Sequence, residues 1–176
     1  MKAAGHRAFI LEPLALLSLL NTGAIFGFFF AWACSVMWGL DGTDPVVAIA
    51  AMQAINTSVR NPVFALAFFG TPVFLVLAAT VARIVGERQA ARLFGLGGLL
   101  YILGAMLPTF AVNVPLNETL ALVEMPLEDP LAQEVWRTYS SPWYVSNAVR
   151  ALVSGLSLLF IGLGILRMVR SRTTET

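Results

Sequence analysis

Polar residues are widely spaced along this chain, and the apolar stretches between them have the length of membrane spans. From Phe9 to about Trp38 only Glu12 and Asn21 break the run. Three more apolar stretches follow, and about 18 or more apolar residues in a row read as a transmembrane helix. The pattern predicts spans at about 10–38, 62–83, 93–113 and 147–168. Ala31-Trp32-Ala33 looks like a signal cleavage site, but the run before it is too long for a signal's apolar region of roughly 7–15 residues.

Between the first two spans, Gly39 to Pro45 is turn chemistry. Asp44 is placed to cap a helix that opens on Pro45 and runs to about Asn61. Gln53, Asn56 and Arg60 fall on one side of it, and Met52, Ile55 and Val59 on the other. Too short to span, it predicts an interfacial helix over about 45–61, along the membrane surface or over the mouth of the bundle. Pro72 predicts a kink in the second span. Gly23 and Gly27, and later Gly95, Gly97, Gly98 and Gly104, predict close helix approach.

The third span ends on Asn113-Val114-Pro115-Leu116-Asn117, two amides and a helix breaker at a membrane boundary. An outer loop over about 114–141 is expected next, with a short helix at 131–139. Ser141 then caps the last helix, with Pro142 in its first turn. The fold class is therefore all-α. One domain, 1–176, forms a four-helix transmembrane bundle with an additional amphipathic interfacial helix between the first and second spans.

Composition supports this. Apolar residues make up 58% and charged residues 12%, about half the usual soluble share. A net charge of +1 gives no basic surface for nucleic acid. The N-terminal tail, the 83–92 loop and the C-terminal tail hold eight of the 11 Lys and Arg residues, and the other connections hold seven of the ten acids. The positive-inside rule then puts both termini in the cytoplasm. The single Cys34 excludes an internal disulfide and reads as a packed apolar residue. The single His6 lies in the basic N-terminal tail, so no Cys/His zinc site can be built and no metal or cofactor is expected.

Polar residues gather by sequence at the end away from the termini. Gln53, Asn56, Arg60 and Asn61 come from the second quarter of the chain, Asn113 and Asn117 from the third span. Trp143, Asn147, Arg150 and Ser154 form a stripe on the last helix. Arg150 sits inside the apolar boundary, where a guanidinium needs a carboxylate, a carbonyl or a ligand. Plainer readings stand beside a shared pocket. Arg60 and Arg150 can snorkel to headgroups. The asparagines can cap or bridge helices, and Asn21 can bridge them mid-span. Trp38, Trp136, Trp143 and Tyr144 read first as an aromatic belt, with stacking on a ligand as the alternative.

Ala51-Met52-Gln53-Ala54-Ile55-Asn56, Asn61-Pro62-Val63-Phe64, the Asn113–Asn117 stretch, and Trp143 with Asn147-Ala148-Val149-Arg150 come in an order that resembles the anthrone oxygenase-like family of small four-helix membrane proteins. The likeness covers about residues 15–165 and looks like that of a bacterial, inner-membrane member. It implies a cofactor-independent oxygenase acting on a small hydrophobic aromatic such as a phenol, anthrone or quinol. Arg60, Asn113, Asn147 and Arg150 would be catalytic, and Gln53, Asn56, Asn61, Asn117 and Trp143 would bind substrate. Glu118 and Asp44 are the nearest carboxylates by sequence, and neither is well placed as a base. The alternative is a non-enzymatic membrane protein that binds a lipid or quinone, or supports a partner complex. Homo-oligomerisation is open.

Overall fold

The computed structural model describes the backbone of residues 2–173 and the side chains of residues 10–171. The side chains of Lys2, His6, Arg7 and Arg172, and the end of the C-terminal tail, lie outside that description. Helix α1 (Lys2–Ala31) passes through a π turn, Trp32–Val36, into the short α2 (Met37–Asp41). α3 (Pro45–Ser58), α4 (Pro62–Ile84) and α5 (Arg88–Tyr101) follow. Two further π turns, Ile102–Met106 and Thr109–Asn113, lead into α6 (Val114–Ala121), and α7 (Asp129–Thr173) closes the chain. Four stretches are long and apolar enough to cross a bilayer: Ile10–Asp41, Pro62–Ile84, Arg88–Ala121 and Asp129–Ser171. The protein is an integral membrane protein, all-α, and no strand occurs among the described residues.

The helices meet along narrow seams. On α1 and into the π turn after it, the buried residues are Leu11, Ala15, Ser18, Thr22, Ile25, Phe29 and Trp32, spaced alternately by four and three. That is the stripe a helix presents to close neighbours, here α4 and α7. Exposed Leu16, Leu20 and Phe30 lie off the stripe, as expected of a lipid-facing side. Small residues let backbones approach: a Cβ on Gly104 would collide with Val153, and one on Gly164 would stand 2.7 Å from Phe94. Gly23 and Gly27 do not serve this purpose. A Cβ on Gly23 would meet only Leu158, at 3.9 Å, and one on Gly27 nothing, because both fall off the buried stripe. Gly95 is likewise open. The Asn21 amide donates to Leu17 O of its own helix at 2.9 Å instead of to a partner.

The expected Asp44 cap is present, and Asn61, expected as the end of the preceding helix, caps the next one before Pro62. Asp44 Oδ1 accepts from Val46 N–H at 2.8 Å, and Asn61 Oδ1 accepts from Val63 and Phe64 N–H at 3.0 Å. Asn61 thus belongs to the start of α4, and α3 ends earlier than expected, at Ser58. Pro72 lies inside an unbroken α4.

The expected outer loop over 114–141 shrinks to 122–128. Pro115 does not end the third span, because the helix passes from the π turn Thr109–Asn113 directly into α6 and runs through it. Ser141 is no cap, for α7 starts twelve residues earlier and contains Pro142. Ala132, Trp136, Tyr139 and Trp143 form one buried stripe that continues into the membrane. Burial of that stripe outweighs the one hydrogen bond that Pro142 removes. At 45 residues α7 is about 68 Å long, more than twice the hydrocarbon thickness of about 30 Å. Its first turns therefore stand beyond the bilayer, where α3 packs across them. At the other ends, α1 is already helical from Lys2 and α7 continues to Thr173, where tails were expected.

Candidate functional site

At the end of the bundle away from the termini, a cavity of about 540 Å³ is walled by α1, the end of α3, the start of α4, the second π turn of the third span, α6 and α7. That volume lies in the range of small-molecule sites. Eight aromatic side chains line it: Phe28, Phe29, Trp32, Phe64, Phe68, Phe69, Phe110 and Trp143. The polar lining is sparse, namely Asn56, Arg60, Asn61, Thr109, Asn113, Asn117 and Arg150. A chamber is therefore present at the end expected from the sequence, though most of its wall is apolar.

Arg150 is the unusual member, at 5% exposure. Its Nη1 donates to Thr109 Oγ1 and its Nη2 to Asn147 Oδ1, both at 3.0 Å. Nε is buried and has no partner. The guanidinium carbon lies 4.4 Å from the centroid of the Phe29 ring and 5.3 Å from that of Trp143. Such contacts stabilise a cation but do not neutralise it. No carboxylate pairs with Arg150 among the described residues. A buried positive charge is thus held by neutral oxygens and ring faces at the edge of an empty aromatic space.

Asn147, fully buried, stands behind Arg150 and not on the cavity wall. Its amide donates to Phe29 O at 3.0 Å, so it ties α7 to α1 while its oxygen orients the guanidinium. Asn113 lines the cavity but is also a brace: it donates to Trp143 O at 3.3 Å and accepts from Ser146 Oγ at 2.7 Å. Asn117 Oδ1 accepts from Tyr139 Oη at 2.8 Å and from Trp143 Nε1 at 2.9 Å. Asn56 completes this group by donating to Tyr139 Oη at 3.3 Å.

Other expected members fall elsewhere. Gln53 lies off the cavity and donates to Leu120 O and Val123 O, both at 2.9 Å, strapping α3 to the end of α6. Arg60 is exposed at the mouth and pairs with Glu118. Ile55 and Val59 share the cavity wall with Asn56 and Arg60, so both sides of the α3 wheel reach it. Trp143 and Trp136, at 5% and 7% exposure, are not belt residues; Trp38, at 62%, is placed like one. Trp136 Nε1 donates to Asp41 Oδ1 at 2.9 Å, which accounts for one more carboxylate. Among the described residues no three His, Cys, Asp or Glu side chains gather as metal ligands.

Sequence reasoning missed Thr109, Tyr139 and the phenylalanine wall. Thr109, Asn113 and Asn117 recur every four residues, a signal that was legible. A phenylalanine in an apolar span carries no such mark.

A family profile described as anthrone oxygenase matches residues 63–160, more than half of the chain. The chain belongs to the anthrone oxygenase family. No curated protein and no solved structure matches it. The anthrone oxygenase match takes in α4, the third span and most of α7, and so contains Phe64, Thr109, Asn113, Asn117, Trp143 and Arg150. Phe29, Asn56 and Arg60 lie outside it.

Proposed function

We propose that the cavity binds a small hydrophobic aromatic through an oxygen that becomes anionic against Arg150, and that the protein oxygenates it without a cofactor. The unneutralised, buried guanidinium of Arg150 beside an aromatic space carries this reading. A cation in such surroundings favours an anion far more than water does. For an anthrone, loss of a methylene proton gives a conjugated oxyanion, and Arg150 would lower the cost of forming it. The carbanion form then adds dioxygen at that carbon. Loss of the second proton cleaves the O–O bond, leaving a new carbonyl and water. Atoms and electrons balance with dioxygen as the oxidant.

No carboxylate lines the cavity among the described residues, so the first proton passes to water at the mouth, beside Glu118. Asn147 and Thr109 position Arg150, and Asn113 and Asn117 shape the wall. Arg83 lies in the last turn of α4 and Arg88 and Arg92 at the start of α5, while acids crowd the 118–134 region. That asymmetry supports cytoplasmic termini in a bacterial inner membrane, with the cavity in the opposite leaflet.

The test is oxygen uptake by the purified protein in lipid nanodiscs with anthrone, and detection of anthraquinone. Arg150→Gln should reduce turnover by about 10²–10³-fold, the usual effect of losing an oxyanion donor. Turnover no faster than the spontaneous oxidation of anthrone would refute the enzymatic part. A second reading, non-enzymatic binding of a quinone or lipid, draws on the half-exposed Phe69 and Phe110 in the cavity wall, which leave it incompletely sealed. It predicts saturable, Arg150-dependent binding without turnover.

A further inference from the structure

The cavity has two sides from which a ligand can arrive, and they are closed differently. Toward the aqueous phase, the end of α3 lies over it, and Arg60 before α4 pairs with Glu118 on α6 across the mouth. Toward the bilayer, the closure is thinner. α4 packs along α1 and α5, but beyond Tyr101 the third span leans on α7 instead. Phe69 of α4 and Phe110 of the second π turn fill the seam that remains. Their rings are near-parallel, at 26°, with centroids 6.3 Å apart. Each lines the cavity and is also half exposed, at 49% and 50%.

A side chain that touches the cavity on one side and the bundle surface on the other separates the two by one ring's thickness. Phe69 lies seven residues after Pro62, about 10 Å along α4 from its start. It therefore faces acyl chains and not headgroups. No polar bond pins either ring, and Phe110 sits in a π turn, where regular backbone bonding is already interrupted. On the other flank of α4 a groove shares Phe28, Ile55, Val59, Asn61 and Phe64 with the cavity wall, but there α1 and α4 pack against each other.

We propose that the cavity is loaded from the lipid, through the seam between α4 and the third span, with Phe69 and Phe110 as its portal. The ligand is a neutral, bilayer-dissolved aromatic that acquires its charge only on reaching Arg150. This rests on the reading of the cavity as a site for such aromatics. A charged or highly water-soluble compound would have to pass the Arg60–Glu118 mouth and should be a poor ligand.

The probe is 2-naphthol, a bilayer-soluble phenol, with binding followed by stopped-flow fluorescence in phosphatidylcholine nanodiscs. Phe69→Ala/Phe110→Ala should speed association and dissociation together by about tenfold, with little change in Kd, as expected of a gate. Phe110→Trp should slow both, which a loosened fold would not do. Glu118→Gln, which breaks the ion pair at the mouth without touching the cavity lining, should leave both rates unchanged, and the rate should follow the ligand's mole fraction in lipid. Rates that respond to Glu118→Gln and not to the phenylalanines would overturn the portal alone. Absence of saturable binding, or binding that Arg150→Gln does not weaken, would remove the site itself and the portal with it.

Discussion

The same four helices are packed in two different ways at the two ends of the bundle. Toward the termini, Leu11, Ala15, Leu75, Ala78, Ala82, Ala90, Phe94, Ile161 and Met168 form a dry core. The helices there are regular, and small residues such as Gly164 let rings such as Phe94 fill the interior. Toward the other end, all three π turns occur, the interior holds asparagines and an arginine, and the centre is open. Each π turn inserts one residue and so rotates the helix beyond it by about 100°. Helices kept in register by one end are thus turned at the other until polar and aromatic side chains face inward. In this bundle, close apolar packing and the cavity occupy separate stretches of the same helices.

That contrast can be broken most forcefully with phenylalanine truncations. Phe94→Ala in the dry core should cost about 3–5 kcal/mol, since it opens a buried void. Phe64→Ala, on the cavity wall, should cost much less while weakening ligand binding. Thermal melts and 2-naphthol titration on both variants would decide, and equal destabilisation would erase the distinction.

Asn147→Ala probes the join between the two ends. It removes the bond that ties α7 to the Phe29 carbonyl and leaves one Arg150 amino group without a partner, and an unsatisfied buried group costs about 1–3 kcal/mol. Because Asn147 does not line the cavity, the variant should also weaken binding, through a misplaced Arg150. Stability loss with unchanged affinity would show that Arg150 needs no such support. The smallest effect belongs to Gly27→Ala. With no atom within 4 Å of the added carbon, it should stabilise by roughly 0.5–1 kcal/mol through backbone entropy. A loss of stability would mean that this face of α1 meets another subunit.

The Asp44 cap was legible because capping is local: a short polar side chain, a proline and three residues of backbone suffice, whereas Asn61, with the same signal, reads in the sequence as the end of the helix before it. Trp143 was not, since an aromatic near a membrane boundary looks the same whether it meets headgroups or, as here, Trp32 and Asn117. Gln53 failed for a related reason. Its place on a helical wheel says which way it points, but not that Leu120 and Val123 carbonyls lie there. Arg150 was singled out correctly as a guanidinium inside an apolar stretch. That it meets neutral oxygens and ring faces could not be read from spacing.

By itself, the sequence determined that this chain is a membrane bundle of four spans, because hydrophobic length and helix caps depend on residues close together in the chain. It also put Asn56, Arg60, Asn113, Asn117, Asn147 and Arg150 near one end, since each span has only two ends. Tertiary structure alone decided which of those groups share a wall. The π turns shift the helical phase by amounts that no constant period predicts, and partners such as Phe29 and Asn147 stand more than a hundred residues apart.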